Sequence, residues 1–452
     1  MANQSQAMWQ KFVQGLNASS AGKGLDPATF MAVSGLSNAD WEVMNVTGLP
    51  ASANAPAVGT VVVAALEKWA NTMPAWAPAY APSALNFYDQ YQAFLYALQL
   101  KGGNAALQQI ADGYAVNVGK AQRTLSADST KLYSDWGTFN TAQSSAPVEV
   151  QKTFQQWYSD SGWAETLDAD QSQLAAQITK FNQALAAVGG PDYKTISGAQ
   201  AAVALSNSAG NGLKGLDGNL YPAYSITSGL NDWYVSALQT LSDGASPAID
   251  MTFTLDDSNS TSLETSKYLD ISGGASYSAF LWGGSASASY SQSEGAQDYT
   301  SLVEGMTMTY TAQAAQLFTI TPGPWFKSSM LSDFCDQISP NSALANKPLF
   351  GKDGVLNQRA GQILVVLKPS VTLTSSKASI EKLYTQMQQN SSSSVSVGGF
   401  CWSAQANHAQ GASKFTSDVT MSADGTSVTI TDNTNSPKVL GIVPISLGTP
   451  AA

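Results

Sequence analysis

Residues 268–293 read YLDISGGASYSAFLWGGSASASYSQS, with apolar and polar side chains alternating on either side of an apolar centre. On the first arm, one face carries Leu269, Ile271, Ala275, Tyr277 and Ala279. On the second arm, one face carries Ala286, Ala288 and Tyr290. A two-residue period is typical of a strand, and the adjacent glycines Gly283 and Gly284 favour a tight turn. The stretch therefore predicts a β-hairpin whose tip is formed by Phe280, Leu281 and Trp282.

The predicted hairpin has no charged side chain between residues 271 and 293. Each arm has the ~9 to 11 residues that a bilayer-spanning strand needs. These features favour a non-enzymatic, membrane-active protein of the pore-forming, toxin-like type. The side chains expected to contact the membrane are Phe280, Leu281, Trp282, Tyr277 and Tyr290.

The surface of the protein is poor in charge. Asp, Glu, Lys and Arg make up 12% of the 452 residues, against a usual ~25%. A surface with few charges packs readily against a copy of itself. A second interpretation is therefore a self-assembling structural or interaction protein, and a homo-oligomer is expected under either interpretation.

The charge balance narrows the choice of partners. The chain has 21 basic and 32 acidic residues, which gives a formal net charge of −11. Nucleic acid is not expected as a partner, because phosphate recognition usually needs a concentrated basic face. A third interpretation is a carbohydrate- or surface-binding module, in which aromatic side chains form a stacking platform at Trp325, Phe326 or Trp402. Membrane lipid and glycan are the partners that remain beside the chain itself.

The sequence lacks the motifs of several catalytic chemistries. His408 is the single histidine, so metal sites that need two or more imidazoles are excluded. Residues 210–215 match the spacing G-x-G-x-x-G, but an Ala-rich segment precedes them where a dinucleotide site needs a strand, which predicts a flexible loop. Cys335 and Cys401 are too few for a disulfide framework or a zinc site, and whether they pair stays open. We expect no metal and no cofactor, and nothing in the sequence supports an enzyme.

The first half of the chain has a helical period. Apolar residues recur at spacings of three and four from residue 87 to 98, from 107 to 139, from 150 to 185 and from 230 to 241. The second and third of these predict long antiparallel helices ~50 Å in length. Proline and aromatic residues alternate over 73–82, which predicts an extended strap. Residues 1–248 are therefore expected to form a helical domain.

The apolar period changes from 3.6 to 2 beyond residue 248. Strands are predicted over 249–255, 306–320, 362–373, 394–402, 416–421, 427–431 and 439–447. Short helices are predicted over 328–334 and 377–389. Because Pro369 lies inside one of the strands, that strand is expected at a sheet edge or with a bend. Residues 249–452 are thus expected to form an antiparallel β-rich domain with one or two covering helices, giving a two-domain α+β protein.

The sequence also bears on localisation. The first 16 residues lack the apolar core of a secretory signal, and no stretch of 18 apolar residues occurs. We therefore expect either a soluble product made in the cytosol, which is compatible with later release, or a mature form whose leader has been removed.

Overall fold

A computed structural model gives the chain a mixed α+β fold, with a helical region followed by an antiparallel sheet region with helices. The predicted fold class is confirmed. The structure describes residues 11–19, 25, 29–33, 63, 67–76, 79–80, 82–205, 211–226, 230–244, 246–254, 305–389, 394–397, 400–403, 417–432, 435 and 437–448.

The helical region begins with an N-terminal helix over residues 11–18. The helices that follow are α1 (Phe87–Tyr96), α2 (Ala105–Gln143), α3 (Phe154–Asp160), α4 (Trp163–Val188), α5 (Tyr193–Val203) and α6 (Leu230–Ser242). Further along the chain lie α7 (Ser328–Phe334) and α8 (Lys377–Gln389). A π-helical turn covers Glu67–Asn71 and a 3-10 turn covers Val148–Val150.

Helices α2 and α4 form the predicted antiparallel pair. Val118, near the start of α2, shares a core with Leu185 near the end of α4, whereas Leu132 shares another with Leu167. Helix α2 has 39 residues, which makes it ~58 Å long. The other arm is broken into α3 and α4, because the chain turns at Gly162 with φ +80°.

The strands are β1 (Met31–Val33), β2 (Thr72–Pro74), β3 (Ala79–Tyr80), β4 (Pro82–Asn86), β5 (Gly212–Lys214), β6 (Leu220–Pro222), β7 (Tyr224–Ile226), β8 (Ile249–Thr254), β9 (Thr307–Pro322), β10 (Gln358–Thr374), β11 (Ser394–Val397), β12 (Phe400–Ser403), β13 (Ser417–Met421), β14 (Ser427–Asp432) and β15 (Lys438–Ser446). The largest sheet has nine strands in its described part. Its centre is the antiparallel pair β9 and β10. Strand β8 lies on the outer side of β9, and β14 and β15 share the other side of β10.

Strand β10 is central, so the edge position predicted from Pro369 is wrong. The bend is present, because Lys368 has φ +49°. Residues 358–366 of β10 pair with β15, and residues 370–374 pair with β14. Pro369 lies where β10 changes partner, so its missing N–H interrupts no ladder on that side.

Two further predictions differ from the structure. The strand predicted over 394–402 is instead the hairpin β11–β12, with Val397 opposite Phe400. The loop predicted over 210–215 contains strand β5, which pairs with β6.

The division into two domains at residue 248 stays a prediction. Strand β1, from the N-terminal part of the chain, pairs with β15 of the C-terminal part. The largest core also contains residues from both parts, among them Phe94, Phe181, Phe318 and Ile363.

A buried ion pair joins the two strands that share one side of β10. Lys438 Nζ of β15 lies 3.3 Å from Asp432 Oδ2 of β14, and the side chains are 0% and 2% exposed. Burial lowers the pKa of Lys438, and the carboxylate of Asp432 opposes that change. Each of the two buried charges therefore stabilises the charged form of the other.

We expect Asp432→Asn to lower the free energy of unfolding by about 3–5 kcal/mol, because it removes the carboxylate that lies 3.3 Å from the buried Lys438 ammonium. Urea unfolding followed by circular dichroism measures this change. The matched control is Asp160→Asn, which breaks the exposed pair with Lys152 and should cost under about 1 kcal/mol. Equal effects of the two substitutions would contradict the buried pair.

Candidate functional site

Four neighbouring strands end in one row at one end of the sheet. Thr254 of β8 pairs with Thr307 of β9, Thr307 pairs with Thr374 of β10, and Thr374 pairs with Ser427 of β14. We call these four residues the terminal row. Two long chain connections leave it: the first connection, residues 255–306, and the second connection, residues 375–426.

Behind the terminal row, one face of these four strands is apolar. Buried or partly buried side chains fill two successive rows, Phe253, Met308, Leu373 and Val428, then Met251, Tyr310, Val371 and Ile430. Such cross-strand apolar pairs stabilise a sheet when its face is covered. The two-residue period beyond residue 248 predicted strands over 249–255 and 306–320, which correspond to β8 and β9.

Two helices cover the apolar face. The N-terminal helix contributes Phe12, whose ring lies 5.7 Å from that of Tyr310 in an edge-on contact. Lys11 Nζ of the same helix donates a hydrogen bond of 3.1 Å to the carbonyl oxygen of Thr254. Helix α8 contributes Ile380 and Leu383, both fully buried in the same cluster. Both helices thus pack directly against the end of the sheet from which the two connections leave.

The opposite face of the same strands is polar and uncharged near its end. The hydroxyl oxygens of Thr252 and Thr309 lie 2.9 Å apart, and those of Thr372 and Thr429 lie 3.0 Å apart. Since Thr309 pairs with Thr372, the four threonines form a continuous line across the sheet. Thr252 is exposed and the other three are half-buried. This face can therefore contact water without any charged group.

The first connection contains every membrane-contact residue predicted from the sequence. Phe280, Leu281, Trp282, Tyr277 and Tyr290 lie outside the described residues. What the structure adds is the placement of its two ends, which are opposite each other on adjacent antiparallel strands.

A second feature is a cavity of about 620 Å³ in the helical region. Its lining includes Asp89 of α1, which accepts hydrogen bonds from Ser126 Oγ at 3.2 Å and Gln122 Nε2 at 3.5 Å. Burial raises the pKa of Asp89 from 3.8 to about 6, against the opposing effect of these donors. The described lining contains no Lys, Arg or His side chain, so this carboxyl is held by neutral groups.

A tyrosine and carboxylate cluster forms the wall of this cavity beside strand β6. Asp217 Oδ2 accepts hydrogen bonds from Tyr221 Oη at 2.6 Å, Tyr133 Oη at 2.9 Å and Asn219 Nδ2 at 2.9 Å. Burial and the neighbouring Tyr133 and Asp217 raise the pKa of Tyr221. The cluster fixes the turn between β5 and β6 against α2.

Other residues singled out in the sequence have different outcomes. Trp325 is fully buried, and its indole Nε1 donates a hydrogen bond of 2.8 Å to the carbonyl of Ala223, so it cannot form a stacking platform. Phe326 is half-buried. Cys335 has a free thiol. His408 and the side chains of Cys401 and Trp402 lie outside the described residues.

Any function has to be inferred from the geometry, because comparison with known proteins finds no match. No protein family, characterised protein or solved structure matches the chain. Within the described part of the chain, each helix is either too short or too polar to cross a membrane. The same part contains no cluster of three or more His, Cys, Asp or Glu side chains placed to hold a metal ion.

The raised pKa of Asp89 predicts a pH dependence of stability. The folded protein holds this proton more tightly than the unfolded chain, so the group's contribution to stability is lost as pH rises from about 4 to about 6. We expect Asp89→Asn to raise the melting temperature at pH 7.5 more than at pH 4. Differential scanning fluorimetry at both pH values measures this, with the exposed Asp353→Asn as control. An equal effect of Asp89→Asn at both pH values would contradict the assignment.

Proposed function

We propose that the protein permeabilises membranes by extending β8 and β9 as a β-hairpin formed from the first connection. The observation that carries this proposal is the pairing of Thr254 with Thr307. If that antiparallel register continues beyond the terminal row, residues equally far from the two strand ends become partners. The turn then falls at the midpoint of residues 255–306, between Phe280 and Leu281, within the apolar tip.

The two faces of the extended hairpin would also match those of the sheet. On β8 the odd-numbered residues, such as Met251, face the core, and on β9 the even-numbered residues, such as Tyr310, do so. On the first arm of the hairpin the apolar side chains have odd numbers, from Leu269 to Ala279. On the second arm they have even numbers, from Ala286 to Tyr290. Because strand faces alternate with a period of two, an unbroken extension gives one apolar and one polar face.

Such a hairpin suits a membrane barrel. In a bilayer the backbone polar groups must all be paired, so strands cross a membrane only as a closed barrel. One hairpin cannot close, and several copies of the chain are therefore required. The apolar face would contact lipid, and the serine-rich face, continuous with the threonine line, would contact water.

The need for several copies combines two interpretations drawn from the sequence, the membrane-active protein and the self-assembling protein. Self-association becomes part of the membrane activity, and the low charge content lowers repulsion between copies. The glycan-binding interpretation loses Trp325 as a platform residue because that side chain is buried. The proposed partners are thus further copies of the chain and membrane lipid.

Trp282→Asp tests the proposal. Burying Phe280, Leu281 and Trp282 in lipid contributes on the order of 5 kcal/mol, and a carboxylate at the tip opposes entry. We expect dye release from phosphatidylcholine liposomes to fall at least tenfold, with an unchanged melting temperature.

The matched control is Val150→Asp, which adds the same charge at a side chain that is 67% exposed. It should release dye like the unmodified protein. A stable Trp282→Asp variant that still permeabilises liposomes would falsify the proposal. A large loss of melting temperature in that variant alone would instead place Trp282 in a soluble core.

A further inference from the structure

The second connection has the same relation to the sheet as the first. It joins β10 to β14, and Thr374 and Ser427 are paired neighbours in the terminal row. We infer that residues 375–426 form a second membrane hairpin, inserted beside the first. This inference rests on the function proposed for the first connection.

The two connections have equal length. Thr307 lies 53 positions after Thr254, and Ser427 lies 53 positions after Thr374. Two hairpins that extend adjacent strand pairs from one row therefore reach the same depth. All strands of a membrane barrel cross the same hydrocarbon layer, so two hairpins of equal length suit one barrel.

The midpoints of the two connections share a Phe, a Trp and a neighbouring glycine pair. The midpoint of 375–426 falls between Phe400 and Cys401, within the sequence Gly398-Gly399-Phe400-Cys401-Trp402. The midpoint of 255–306 falls within Phe280-Leu281-Trp282-Gly283-Gly284. In each case Phe directly precedes the midpoint, Trp is the second residue after it, and a glycine pair lies alongside. This match depends on the strand ends that define the two midpoints, and those ends follow from the pairing in the sheet.

Charge is absent around the second midpoint, as it is around the first. No Asp, Glu, Lys or Arg occurs from residue 383 to residue 413. A charged side chain at the centre of a bilayer costs several kcal/mol, so a charge-free run is what a membrane strand pair requires.

Near this tip, the apolar side chains have the odd or even residue numbers that continue the buried face of β10 and β14. On β10 beyond Pro369 the buried residues are odd-numbered, such as Val371, and on β14 they are even-numbered, such as Ile430. Towards the tip, Val395 and Val397 continue the odd series. Trp402, Ala404 and Ala406 continue the even series, with Ser403, Gln405 and Asn407 between them.

The two strands closest to the midpoint of the second connection already pair with each other in the structure. Strand β11 pairs with β12 in a hairpin, with Val395 opposite Trp402. Continuing the β10–β14 register would place Val395 opposite residue 406 instead. The difference of four residues is even, so the slide keeps every side chain on its face.

Two elements of the second connection have to leave their present positions. Helix α8 covers the apolar rows through Ile380 and Leu383. Strand β13 pairs along β14, with Thr420 opposite Thr429. Extension from Ser427 pulls β13 away from β14, whereas the pairing of β9 with β10 persists. The separation of β13 from β14 is therefore specific to the second hairpin.

A reversible lock tests this separation. The reference is the protein with Cys335→Ser and Cys401→Ser, to which Thr420→Cys and Thr429→Cys are added. Paired Cα atoms in antiparallel strands lie within the range that a disulfide bridges. We expect the oxidised lock to reduce dye release from phosphatidylcholine liposomes at least tenfold below the reference, and reduction to restore it.

The control lock joins strands that stay paired. Thr319 and Gln362 are partners on β9 and β10, away from the terminal row, and Thr319→Cys with Gln362→Cys should leave dye release unchanged when oxidised. Dye release by the oxidised β13–β14 lock at the reference rate would overturn the second hairpin while leaving the first intact. A reference protein that releases no dye, together with an inactive unmodified protein, would remove both.

Cys401 offers a second measurement, because it lies at the proposed tip. In Cys335→Ser protein, an environment-sensitive fluorophore on Cys401 is expected to brighten severalfold on liposomes and to be quenched by spin-labelled lipid chains. The control is Cys401→Ser protein labelled at Cys335, which should show neither change. A Cys401 label that stays in water while the liposomes leak would also overturn the inference.

Discussion

The antiparallel pairing of β9 with β10 is the constraint on which the rest of the structure depends. It runs from the terminal row past Pro369 to Gln362 and Thr319 in a single register. Every other strand of the large sheet is placed, directly or through a neighbour, by this pair. Because the register is continuous, β8 and β14 end level with β9 and β10, and both connections begin at the same height.

The remaining elements pack against this sheet at both of its ends. The N-terminal helix and α8 cover the apolar rows near the open end. At the other end, the helical region packs on Phe318, Ile320 and Ile363. Lys438 and Asp432 join β15 to β14 where β10 changes partner. The ion pair and the packing on the helical region thus lie away from the terminal row, which is where a change of strand partners is proposed.

Local patterns predicted the elements well because their causes are local. The alternation of β8 and β9 and the helical stripe of α2 both follow from side-chain periodicity. Helix α2 even continues through Gly113, Gly119 and Gly137, since its packing outweighs the low helix propensity of glycine.

Pairing could not be predicted in this way. The left-handed residue Lys368 lets a proline occupy a central strand, and β1 joins the sheet from far along the chain. The match between the two connections depends on which residues are opposite each other at the terminal row. That information is non-local, so the apolar tip was recognised at Phe280 but not at Phe400.

Amide hydrogen exchange of the membrane-bound protein, resolved along the chain by mass spectrometry, tests the central claim most directly. A hairpin that extends the sheet places the amides of residues 255–306 in hydrogen bonds. We expect these amides to become protected on liposomes, in two equal arms that meet at Phe280 and Leu281. Liposome leakage with unchanged exchange over residues 255–306 would contradict it.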